Sequence, residues 1–117
     1  MAASPDTFAE AFSPETFRAQ GHAVVDLLAD HLARAQTPGA VPVLPSTPPD
    51  ANLAAWTRDF GVAAPEGLMV LLQRMLDGAT HVHSPRYVGH QVAAPLPAAA
   101  LCHALVALTN NSTAVYE

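Results

Sequence analysis

Between His81 and His90 the chain gathers three imidazoles (His81, His83, His90), the guanidinium of Arg86 and the phenol of Tyr87. Such groups can donate to a carboxylate, stack on a ring, move a proton near neutral pH or ligate a metal. His81 and His83 flank Val82, and in an extended segment that alternation would put both rings on one side. As a metal site the pattern is weak, because no acidic ligand lies close and the spacing matches no tight cage. Two other uses stay open. The histidines could hydrogen-bond backbone groups, or the loop could line a pocket for an aromatic or anionic small molecule. In the pocket reading Arg86 would pair an anion, although a lone loop arginine is more often simply solvated. Gly89 would let the backbone pass close to a ligand or take a positive φ.

What the chain lacks narrows the chemistry further. All five basic residues are arginines, so no lysine can form a Schiff base. The arginines are scattered and the net charge is −5, which leaves no basic stripe for nucleic acid. Cys102 is the single cysteine, so an internal disulfide and a cysteine-based zinc site are both excluded. The N-terminus, MAASPDTFAE, has no cationic patch followed by an apolar core. The run from Val92 to Leu108 is broken by Pro95, Pro97 and His103 and is short for a bilayer span. A cytoplasmic protein with no membrane association is expected. Charged residues make up 13% and apolar ones 50%, against about 25% charged in an average soluble domain. So small a domain needs more polar surface than this, and part of it is expected to be covered by other protein.

The elements that would position the loop are helical, and no segment shows a clear strand alternation. Residues 1–12 read as a loose arm. Ser13-Pro14-Glu15 supplies a capping hydroxyl, a proline where no N–H is needed, and an acid at the positive helix end. Phe17, Gly21, Val24, Val25, Leu28, Leu32 and Ala35 then mark a wide apolar face to about Ala35. His22 and His31 fall at its borders, as surface histidines. Residues 36–50 hold five prolines and should lie extended over other protein. Asp50 caps a short helix to Phe60, and Pro65-Glu66 opens a third that Gly78 stops. Pro97 starts a fourth, AAALCHALVAL, whose one frankly polar side chain is His103. It should be enclosed on every side and end at Asn110-Asn111.

In order, HVHSPRYVGHQVAAPLPAAAL and LTNNSTAVYE resemble the start of the large domain of group II pyridoxal-phosphate-dependent amino-acid decarboxylases. That family includes the aromatic-amino-acid, glutamate and diaminobutyrate decarboxylases. The preceding part is similar to its N-terminal segment: G-x-x-x-V-D-x-L-A-D from Gly21 to Asp30, P-V-L-P from Pro42 to Pro45, then two short helices. The likeness runs from about Phe17 to Glu117.

The resemblance implies a mainly α chain: an N-terminal swapped helical segment over residues 1–80 and the truncated start of the cofactor-binding large domain over 81–117. The parent would be a fold-type-I α/β enzyme and an obligate homodimer with swapped N-terminal helices. It would decarboxylate an L-amino acid with pyridoxal 5'-phosphate. His90, Gln91 and Val92 would line the substrate side of the pocket. Val82 matches a position that is often aromatic there, and its aliphatic side chain weakens the case for an aromatic substrate. The family's Schiff-base lysine, pyridine-binding aspartate and ring-stacking histidine have no counterpart here. No catalytic residue, cofactor-binding residue or metal ligand is therefore assigned, and this chain alone would be inactive. The alternative is a stand-alone helical module that binds a partner through its apolar face and does no chemistry.

Overall fold

The computed structural model describes residues 9–60 and 67–110, with side-chain surroundings for all of these except 57–60. The described residues are mainly helical and contain no strand. Four helices follow one another: α1 (Pro14–Gln36), α2 (Pro49–Phe60), α3 (Leu68–Asp77) and α4 (Pro97–Thr109). The chain divides into two compact units, Met1–Tyr87 and Val88–Glu117.

In the first unit, α1 begins as its sequence dictates. The Ser13 side chain accepts a hydrogen bond from the Thr16 N–H at 3.2 Å, and Pro14 occupies the first helical position. The short stretch before it (9–11), expected to be loose, is also helical. The helix ends where Pro38 forbids the helical conformation at Thr37, which is extended at φ −80, ψ 120. Pro38 and Gly39 then form the corner of a turn closed by the Ala40 N–H on the Thr37 carbonyl at 3.2 Å. Gly39 takes φ +78, the conformation that the third position of such a turn requires.

The second helix starts one residue earlier than expected. Pro49 is its first residue and the Pro48 carbonyl accepts from Asn52 N–H at 2.9 Å, so Asp50 sits inside the first turn and is not the cap. A proline preset for the helical φ takes the leading position, and the carboxylate still faces the positive helix end. Pro65 and Glu66, expected to open α3, lie outside the described residues, and Gly67 is the cap. Gly78 ends α3 as expected, but in the right-handed region at φ −91.

α1 packs against α3, and the Arg74 guanidinium of α3 lies over the Trp56 ring of α2 at 4.8 Å. This contact buries only part of the apolar face on α1. Ala35 is buried and Gly21, Val24 and Leu32 are half-buried, yet Phe17 stays 59% exposed and Val25 and Leu28 also face solvent. Among the described hydrophobic residues only Ala35 is buried. Of the described helices only the ten-residue α3 packs on the 23-residue α1, so the core is small.

In the second unit α4 has Leu96 as its cap, Pro97 in the first position, and Asn110 in the left-handed conformation at φ 43, ψ 41 closing its end. Enclosure on every side is not found. Leu101, Leu105, Val106 and Leu108 are each 63–65% exposed, because no described element packs on the helix. Among the described residues no helix is long and apolar enough to cross a membrane.

Candidate functional site

The histidine segment does not run extended. Residues 81–87 fold as two successive turns, with Ser84 N–H donating to the His81 carbonyl at 3.0 Å and Tyr87 N–H to the Ser84 carbonyl at 2.9 Å. Pro85 follows Ser84, whose Oγ accepts from the Arg86 N–H at 3.3 Å, and this local bond tightens the second turn. The alternation expected of His81 and His83 is therefore absent. His81 is 6% exposed and His83 half-buried.

His81 reaches back 39 residues to the proline-rich segment. Its amide donates to the Val43 carbonyl at 2.8 Å, and its ring Nδ1 donates to the Pro42 carbonyl at 2.6 Å. A carbonyl is an acceptor alone, so this contact fixes the proton on Nδ1. The ring also lies against His31 of α1, with centroids 5.3 Å apart and planes inclined by 32°. One imidazole thus ties together α1, the proline-rich segment and the loop. These contacts lie within the first compact unit, which runs to Tyr87.

Burial lowers the pKa of His31 below the usual histidine value, and His81, His83 and Arg34 lower it further, while Asp77 acts in the opposite direction. Beside it an open groove of about 380 Å³ is lined by Leu27, Asp30, His31, Ala33, Arg34 and Gln73. Local pattern placed His31 at a helix border and gave no hint of this pairing. Its partner is 50 residues away in sequence, beyond the reach of any local pattern.

The four residues expected to line a substrate pocket divide between the units. Val82 belongs to the first and is half-buried; His90, Gln91 and Val92 belong to the second and are exposed. No three His, Cys, Asp or Glu side chains among the described residues are grouped to hold a metal ion.

A pyridoxal phosphate bound as in the resembling family needs a lysine amine, and this chain has none. The exposed loop residues His90 and Gln91 do not by themselves form a cradle for a phosphorylated ring. The residues present do not fit that cofactor as its holders, and none of its chemistry is assigned to them. Comparison with family models, curated proteins and solved structures finds no match to this chain.

Proposed function

We propose that this chain is the N-terminal portion of a pyridoxal-phosphate-dependent L-amino-acid decarboxylase, where it supplies homodimer contacts and one wall of the substrate pocket. The observation that carries this reading is apolar surface left open on two helices. Phe17, Val25 and Leu28 on α1, and Leu101, Leu105, Val106 and Leu108 on α4, all face solvent. Burying a leucine or phenylalanine fully is worth about 1.5–3 kcal/mol, so these side chains favour a covered state over the open one. The motif order from Gly21 to Glu117 supports a decarboxylase as the source of that cover. α1 would exchange onto the second subunit, and α4 would pack within the large domain. His90, Gln91, Val92 and Val82 would then touch the amino-acid substrate while the cofactor is held elsewhere.

A stand-alone interaction module would present the same open faces, and two measurements separate the readings. The coding sequence following Glu117 should encode a Ser/His-x-x-Lys motif. The chain should also self-associate in sedimentation equilibrium and show no internal-aldimine absorbance when pyridoxal phosphate is added. A stop codon directly after Glu117 together with a monomer at high concentration would remove the decarboxylase reading.

A further inference from the structure

We propose that His31 and His81 form a proton-sensitive clasp that holds the proline-rich strap (37–48) when His31 is neutral and releases it when His31 is protonated. The strap crosses from α1 to α2, and between those helices its carbonyls at Pro42 and Val43 are held by the ring and the amide of His81. A proline has no amide hydrogen, so a segment rich in them depends on donors brought by other elements. His81 is that donor, and the ring of His31 packs on it at 5.3 Å.

The clasp is sensitive because of what surrounds His31. His81 and His83 face it from the loop, Arg34 from the next turn of α1, and Asp77 from α3. Asp30 and Gln73 share the groove beside it. Burial opposes the charged ring and Arg34 adds a like charge, while Asp77 acts in the opposite direction. An imidazolium at this place gains hydration by turning outward. That motion strips the cover from His81 and lets water compete for the Pro42 carbonyl. The sign follows: the neutral form is favoured in the clasped state, so the clasp is complete above pH about 6.5 and weakens as the pH falls below it. Every group in the device lies in the first compact unit.

Amide hydrogen exchange on the full chain at pH 7.5 and pH 5.0, corrected for intrinsic rates, tests the clasp at the His81 N–H. In the wild type, protection there should fall from pH 7.5 to pH 5.0, the direction set by the preference of the clasped state for the neutral ring. His31→Phe keeps a ring on His81 but cannot titrate, and its protection should stay level across the same interval. An equal fall in His31→Phe, or no fall in the wild type, would overturn the proposal. Should His31→Phe not fold, nuclear magnetic resonance of the wild type decides the matter. The His81 amide and the His31 ring resonances must then titrate with one midpoint, and separate midpoints would overturn the clasp.

Discussion

Replacing His81 by alanine tests the tie between loop and strap most directly. The substitution removes the Nδ1–H donor to Pro42 and the ring against His31, but leaves the amide that donates to Val43. A net hydrogen bond contributes about 1 kcal/mol, and an acceptor left dry would add about 1–3 kcal/mol more. Pro42 is exposed, so water can reach its carbonyl and the cost stays near the lower figure. Losing a nearly buried imidazole from between α1 and the strap adds roughly 1–2 kcal/mol of lost packing, at the low end of large-to-small substitutions because the site is close to solvent. The sum is about 2–3 kcal/mol. His81→Asn retains a donor at nearly the Nδ1 position and should lose only about 1 kcal/mol, the packing share. Urea unfolding at pH 7.5, followed by fluorescence of Trp56 beside Arg74, reads the difference. An alanine variant within ~0.5 kcal/mol of wild type, below any hydrogen-bond estimate, would refute the reasoning. So would an asparagine variant as unstable as the alanine one.

Other consequences are accessible to simple measurements. Ser13→Ala deletes the side-chain acceptor for Thr16 N–H and should cost about 0.5–2 kcal/mol, visible as reduced helicity in circular dichroism. Gly39→Ala meets no neighbouring atom, so its cost is the backbone strain of φ +78 alone, about 1–2 kcal/mol in thermal unfolding. Phe17→Ala combined with Leu28→Ala removes side chains that are 59% and 42% exposed. In the proposed two-fold dimer each loss counts twice, so about 3–6 kcal/mol of association should vanish and sedimentation should report monomer. Unfolding free energy should decline between pH 7 and pH 5 in the wild type, since the unfolded chain takes up the His31 proton at a higher pH than the folded one. That decline should be shallower in His31→Phe.

Helix limits were the most legible feature of the sequence. Ser13, Pro14, Pro97, Gly78 and Asn110 act through bonds or clashes within four residues, and a local pattern can carry that information. The contacts of the loop were not legible. His81 acts on residues 39 and 50 positions away, and neither distance leaves a mark in local spacing. The alternation of His81 and His83 failed for a related reason, because Ser84-Pro85 favours turns and overrides the extended reading. The fourth helix was read from composition as enclosed, and composition cannot say whether the covering atoms belong to the same chain. Its exposed leucines show that the described residues of its own compact unit do not supply them.

Prolines at 42, 45 and 48 remove three amide donors from the strap, which also bends at 41, 43 and 44. A segment so bent and so short of donors cannot offer the unbroken row of amides that an invading strand would zip onto. An apolar ribbon containing Val41, Val43 and Leu44 is thereby kept from seeding fibrils when two molecules collide, even at moments when His81 has let go.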